Sequence, residues 1–119
     1  MEEATGNRPS EIIFAGGASK SPLWSQILAD VLGMPVKVPV VKEATALGAA
    51  ILAGYGAGLY SSIEEGVKRT VKWDRVFEPD EKNHKVYEEI YPTWRKVYAA
   101  QLELVNEGIT KPMWVAPGL

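Results

Sequence analysis

The chain has 119 residues, enough for one domain with a modest core. Its formal net charge is −2 and its basic residues are dispersed, which argues against nucleic acid or an anionic membrane as a partner. The lack of cysteine excludes disulfides, thiolate metal sites and a cysteine nucleophile, and it suits a reducing cytoplasm. The single histidine, His84, excludes a histidine metal cluster and is expected to be a solvated side chain in the first turn of a helix.

The start of the chain is polar, and its most apolar segment is short. Residues 1–10 are polar and contain Gly6 and Pro9, so we expect a flexible leader followed by one domain over residues 11–119. The acidic start does not resemble a signal peptide. The apolar segment 45–60 is shorter than the roughly 20 residues that a membrane span needs, and it predicts a buried helix of a soluble protein.

The domain begins with a strand, a turn and a helix. Residues 11–15 form a short apolar run, typical of a strand buried on both faces of a parallel sheet. Ser21 is a good N-cap, Pro22 suits the first helical position, and Gly33 with Pro35 ends the helix. The apolar residues of this helix recur at helical spacing and predict one broad stripe: Leu23, Trp24, Ile27, Leu28 and Val31.

The middle of the chain predicts a second strand and two helices. In the strand, residues 36–41, Pro39 favours an edge position or a strand end. A helix rich in alanine and glycine follows from Ala44 to about Gly54. A short helix to about Arg69 comes next, and its start carries a serine–glutamate capping signature. The two pairs that fit this signature are Ser61 with Glu64 and Ser62 with Glu65. Residues 71–77 are either an extended segment or an irregular connection.

A long helix completes the pattern. Asp80 caps it, it runs to about Asn106, and Pro92 inside it should kink or split it. Its apolar and aromatic residues form one stripe, which indicates core or a partner-facing surface rather than a cofactor site. The tail from Thr110 onward should be extended. This element order is typical of an α/β fold with helix in excess.

The best candidate for a binding site is the turn between the first strand and the first helix, residues 16–21. Gly16 and Gly17 allow positive φ and a close approach of ligand to backbone, and the amides at the following helix start favour an anion. The turn is neither a Walker A motif nor a dinucleotide fingerprint. A plain tight turn is the alternative, as is a solvated Lys20 instead of one that touches phosphate.

A second candidate is the start of the alanine-rich helix. Glu43 could serve as a base, although an acid stabilised by the helix dipole is the simpler interpretation. The small residues of this helix let its backbone lie close to a neighbour, which is mainly a structural role. They are Ala46, Gly48, Ala49, Ala50, Ala53 and Gly54.

Two of these segments together resemble the FGGY carbohydrate kinases. Residues 14–36 are similar to the family's adenosine motif, in which a Gly-Gly-x-Ser turn precedes Trp-x-Gln-x-x-Ala-Asp and Gly-x-Pro-Val. Residues 43–50 are similar to the family's Glu-x-Thr-Ala-Leu-Gly-Ala-Ala helix. Residues 37–43 and 114–119 resemble the autoinducer-2 kinases, a group within that family, and the resemblance covers residues 12–119.

The resemblance implies a fold and a ligand. The fold is the last part of the second domain of an actin-like, ribonuclease-H-like ATPase, and the cofactors of the full-length enzyme are ATP and Mg²⁺. Gly16, Gly17 and Ala18 would lie against the α-phosphate and the ribose, with Ser19 in the same turn. Ser21 would sit near the adenine, where relatives often carry asparagine, so its contact is less defined.

The resemblance also implies what the chain does not do alone. Family kinases have a sugar-binding domain, phosphate-binding loops and a catalytic aspartate, and none of those motifs occurs in this sequence. Phosphoryl transfer requires both substrates and a metal to be positioned together, so we expect no turnover and no catalytic or metal-binding residue in this chain. The alternatives are a non-catalytic module that self-associates or binds a protein through exposed apolar surface and, more distantly, a dinucleotide-binding enzyme.

Overall fold

The computed structural model of the chain describes Gly6 and residues 9–111, in two compact units, Met1–His84 and Lys85–Leu119. In chain order the elements are β1 (Ile12–Ile13), a 3-10 turn (Gly17–Lys20), α1 (Pro22–Leu32), β2 (Val36–Pro39), α2 (Ala44–Gly56), α3 (Ile63–Thr70), β3 (Trp73–Phe77) and α4 (Glu81–Asn106). Most of the predicted leader, and the tail from residue 112 onward, lie outside the described residues.

The described strands form one mixed sheet with β2 in its centre. β1 pairs with β2 in parallel, and β3 pairs with it antiparallel on the other side. Pro39 ends β2 at the point where the register with β3 shifts, because proline has no N–H to continue the ladder. The predicted strand end is therefore confirmed, whereas the predicted edge position is wrong. β3 confirms the extended alternative for residues 71–77.

The core lies between the sheet and one face of α1. Ala29, Val36, Val38 and Phe77 are buried there, and Leu28 packs against them. The buried residues of α1 are Ser25, Ala29 and Asp30, and of the predicted apolar stripe only Leu28 packs against the core. Exposed instead are Leu23, Trp24, Ile27 and Val31.

The same correction applies to β1. The sequence predicts burial on both faces, but Ile13 is 60% exposed. Within the described residues β1 pairs with β2 along one edge only, and α1 packs on the sheet through Ala29, which is small enough for close contact. The larger apolar side chains of this region therefore point away from the core that the chain itself builds.

The ends of α1 follow the predicted caps. The Ser21 hydroxyl accepts a hydrogen bond from the Trp24 amide at 3.3 Å, and Pro22 occupies the first turn. Gly33 adopts the left-handed conformation with φ 63°, and its N–H donates to the Ala29 carbonyl at 2.9 Å. Both boundaries of the helix are thus encoded locally.

Close packing of α2 against α3 depends on two glycines. A Cβ on Gly54 would lie 2.6 Å from the Tyr60 ring, and one on Gly66 would lie 2.8 Å from Ile51 Cγ2. This confirms the close approach predicted for Gly54, whereas Gly48 faces open space. The expectation of a buried helix is wrong for most of α2, in which only two residues are buried. Among the described helices, none combines the length and the apolar character that a membrane span requires.

The start of α3 uses one of the two predicted pairs. The Glu65 amide donates to the Ser62 hydroxyl at 3.1 Å, so Ser62 is the N-cap. The Glu65 carboxylate in turn accepts bonds from the amide and the hydroxyl of Ser61, at 2.7 and 2.6 Å. The side chain therefore reaches one residue further back than in the usual capping box.

The helix α4 begins as predicted, with the Asn83 amide donating to Asp80 Oδ1 at 2.9 Å. Pro92 lies within a helix that extends from Glu81 to Asn106 without a break, so of the two predicted effects, a kink or a split, the split is wrong and the kink stays a prediction. None of the residues of α4 is buried in the part of the chain that the structure describes. Its aromatic side chains instead stack on one another, Tyr91 on Trp94 at 6.0 Å and Trp94 on Tyr98 at 5.6 Å between ring centroids.

A buried carboxylate connects α1 with Asp80 and the first turn of α4. Asp30 is 3% exposed and accepts hydrogen bonds from the Asp80 amide at 2.9 Å, Asn83 Nδ2 at 3.0 Å and Gln26 Nε2 at 2.8 Å. His84 Nδ1 lies 2.8 Å from the Asp30 carbonyl oxygen, so His84 is held in this network and is not the solvated side chain that the sequence predicts. Burial raises the pKa of Asp30, but these hydrogen bonds outweigh it and leave the pKa below its usual value.

We predict that Asp30 makes the stability of the chain depend on acid pH. Because its folded pKa is lowered, its contribution is fully present above the unfolded value of about 3.9 and is lost as pH falls through the folded pKa. Asp30→Asn should lower the free energy of unfolding by about 1–3 kcal/mol at pH 7 and by less at pH 3. Urea unfolding at both pH values measures this difference. The exposed control Glu107→Gln should change little, and an equal loss at both pH values for Asp30→Asn would contradict the prediction.

Candidate functional site

The turn after β1 depends on a conformation that favours glycine. Gly16 has φ 88° and ψ −175°, a backbone conformation that residues with a Cβ atom rarely adopt. A Cβ would find open space at both Gly16 and Gly17, so the requirement at Gly16 is conformational and not one of room. Both glycines allow positive φ, and of the two only Gly16 adopts it. The Gly16 N–H donates to the Lys42 carbonyl at 2.7 Å and so ties the turn to the segment before α2.

The two serines of the turn hold its shape. Ser19 is buried, and its hydroxyl donates to the Gly16 carbonyl at 2.7 Å. The Ser21 amide donates to the Ala18 carbonyl at 3.1 Å, while the Ser21 hydroxyl caps α1. Ser25 Oγ donates to the Ser21 carbonyl at 3.1 Å. Within the turn Ser19 is buried, Gly17 and Lys20 are exposed, and Gly16, Ala18 and Ser21 are half-buried.

A cavity of about 540 Å³ lies beside the turn. Its walls are Ala15, Gly16 and the beginning of α2, namely Glu43, Ala44, Thr45, Ala46 and Ala49. The 3-10 turn Gly17–Lys20 separates Gly16 from α1. The helix start that borders this cavity is therefore that of α2, whereas the sequence pattern pointed to α1.

The beginning of α2 is suited to an anion. The amides of a first helical turn have no partner within the helix and carry the positive end of the helix dipole. Among the described residues no side chain caps this helix, in contrast to α1. Thr45 and Ala46, in that first turn, line the cavity. The cavity thus brings the glycine turn beside an uncapped helix start, and helix starts of this kind bind phosphates in many proteins.

Comparison with known proteins identifies the family of the segment that contains this cavity. Residues 1–57, which include the turn and the whole of α2, match the model of the C-terminal domain of the FGGY family of carbohydrate kinases. The chain belongs to this family. It is 56% identical over 111 residues to the autoinducer-2 kinase of Escherichia coli strain K12, covering 93% of this chain and 21% of the relative. It is also 56% identical over 119 residues to that of Klebsiella pneumoniae, covering 100% of this chain and 22% of the relative.

The chain therefore spans about a fifth of the length of these FGGY relatives. Among solved structures, a xylulose kinase from Lactobacillus acidophilus matches with a TM-score of 0.70 and 24% identity over 79% of this chain and 19% of that one. This likeness concerns the fold. The helix-rich structure with its short sheet is part of the actin-like, ribonuclease-H-like fold of sugar kinases, as the sequence motifs predicted.

One pairing at the site has no signal in the sequence. Lys20 Nζ lies 2.8 Å from Glu43 Oε1, and its side chain is 60% exposed, so Lys20 is a solvated lysine that also pairs with an acid. The hydrogen bond from Lys20 and then its positive charge hold the pKa of Glu43 below its usual value. A carboxylate with a lowered pKa is a weak base, which argues against the catalytic interpretation of Glu43.

We predict that the two glycines of the turn respond differently to alanine. Gly16→Ala forces a Cβ into a strained backbone region and should lower the free energy of unfolding by about 1–3 kcal/mol. Gly17→Ala, the adjacent control, has open space and no positive φ, and should change it by less than about 1 kcal/mol. Urea unfolding of both variants measures the difference, and equal losses would contradict the assigned turn geometry.

Proposed function

We propose that the chain is the nucleotide-binding C-terminal portion of an ATP-dependent carbohydrate kinase that phosphorylates a sugar or autoinducer-2. The observation that carries this proposal is the cavity in which the Gly16 backbone meets the uncapped start of α2. Both parts lie within the matched family segment. The identity of 56% to proteins named autoinducer-2 kinase favours that substrate over other sugars.

In this proposal each part of the turn has its own role. The backbone of Gly16, Gly17 and Ala18 lies along the α-phosphate and ribose, and Ser21 lies toward the adenine. Ser19 contributes indirectly, since its hydroxyl holds the Gly16 carbonyl. The start of α2 supplies amides and dipole for the phosphates. The described residues hold no group of acidic or histidine side chains that could bind a metal by themselves, and Mg²⁺ would therefore reach this chain bound to the nucleotide.

The same proposal assigns no catalysis to the isolated chain. In phosphoryl transfer a positioned base or orienting group must act on the accepting hydroxyl while both substrates are held in line. Glu43 is the acid that lines the cavity, and its pairing with Lys20 makes it a weak base. We therefore expect nucleotide binding without turnover, in a protein of the cytoplasm where ATP is available.

The test is a titration of the ¹⁵N-labelled chain with Mg²⁺–ATP and Mg²⁺–ADP, followed by amide chemical shifts. Shifts should change at residues 16–21 and at the start of α2. Ala46→Asp puts a carboxylate into the cavity and should weaken binding about threefold or more, whereas Ala50→Asp on the same helix lies outside the cavity lining and should not. Unchanged shifts at millimolar nucleotide would contradict the proposal.

A second candidate function is a non-catalytic module that self-associates, and the exposed face of α1 favours it. Phe14, Trp24, Ile27, Leu28 and Val31 line an apolar groove of about 310 Å³. Leu23 lies on the same helix and is 68% exposed. Apolar surface of this kind is typical of protein contact sites.

Self-association predicts a sedimentation coefficient that rises with protein concentration. Leu23→Glu should shift the chain toward the monomer, because it places a charge beside the apolar groove. Leu59→Glu is the matched control, since Leu59 is also 68% exposed but lies in the connection between α2 and α3. A monomer at every concentration tested would exclude this candidate.

A further inference from the structure

The ion pair between Lys20 and Glu43 joins the two segments that form the cavity. Lys20 ends the 3-10 turn that follows Gly16, and Glu43 is the residue immediately before α2. The backbone bond from Gly16 to the Lys42 carbonyl connects the same two segments at 2.7 Å. Both side chains of the pair are largely exposed, at 60% and 63%, so burial does not explain why they meet.

The placement of Glu43 creates an electrostatic conflict. Glu43 lines a cavity whose uncapped helix start favours anions, yet the carboxylate of Glu43 repels them. The neighbouring Lys42 does not offset this charge, because its ammonium group is bound to the Pro39 carbonyl and to Asp74 Oδ2, each at 2.6 Å. Lys20 is the cation within hydrogen-bond distance of Glu43 in the described part of the chain.

We propose that Lys20 is a specificity-determining residue that neutralises Glu43 at the cavity. Without this neutralisation the carboxylate would repel a nucleotide polyphosphate but not an uncharged nucleoside. This inference rests on the proposed nucleotide site. Lys20 acts through Glu43 and not as a phosphate ligand, so its removal leaves a negative charge facing the phosphates. Its effect should therefore depend on the charge of the ligand and on the presence of Glu43.

The size of the effect follows from Coulomb's law at an exposed site. The Coulomb energy of two unit charges about 4 Å apart in water changes an equilibrium constant about fivefold. Greater distance and salt reduce this, so we expect a change of roughly threefold. The exposure of both side chains also means that their substitution should leave the fold intact.

The experiment is a double-mutant cycle with two ligands, Mg²⁺–ADP and adenosine, with dissociation constants measured from amide shifts of the full chain. Lys20→Gln should weaken Mg²⁺–ADP roughly threefold and leave adenosine unchanged. Glu43→Gln should not weaken either ligand. The double variant should regain the Mg²⁺–ADP affinity of the unaltered chain, and 0.5 M NaCl should reduce the effect of Lys20→Gln.

The matched control is Arg69→Gln, which breaks an exposed pair with Glu65 on α3 and should change neither dissociation constant. The proposal is overturned if Lys20→Gln weakens both ligands equally, if it weakens neither, or if the double variant stays as weak as Lys20→Gln. If one of these results is obtained while Mg²⁺–ADP still shifts the amides of residues 16–21, the role proposed for Lys20 is wrong but the nucleotide site stands. If neither ligand shifts those residues, the proposed nucleotide site fails as well.

Discussion

The hydrogen bond from the Gly16 amide to the Lys42 carbonyl is the contact on which the candidate site depends. It joins the turn after β1 to the segment after β2, and it follows from the parallel pairing of these two strands, whose carboxyl ends lie at the same edge of the sheet. Gly16 can make this bond because its backbone adopts a conformation that favours glycine. The cavity and the ion pair between Lys20 and Glu43 both lie where these segments meet.

A second constraint is the choice of face on α1. The helix places Ser25, Ala29 and Asp30 toward the interior and leaves Leu23 and Trp24 outside. Small residues permit close contact with the sheet, and Asp30 is tolerated because three donors satisfy its carboxylate. The outward face of α1 therefore carries larger apolar side chains than the face that packs on the sheet.

The site also illustrates how a helix start and an acid can coexist. Ser21 caps α1 in the usual way, but Glu43 does not cap α2 and is paired with Lys20 instead. The amides of α2 are thereby left toward the cavity, and the charge of the acid is met by a residue from the opposite segment. We regard this division of roles as the physical basis on which the proposed site accepts a charged ligand.

Local sequence alone determined the boundaries of α1, through Ser21, Pro22 and Gly33, and the family, through the two motifs around Gly16 and Glu43. These features are encoded within a few residues, by side-chain caps, positive φ and motif spacing. Only the tertiary structure decided that Asp30 and His84 share a buried network, that α2 and not α1 borders the cavity, and that Lys20 pairs with Glu43. Each of these contacts joins residues far apart in the chain, and strand pairing, which periodicity does not specify, brings them together.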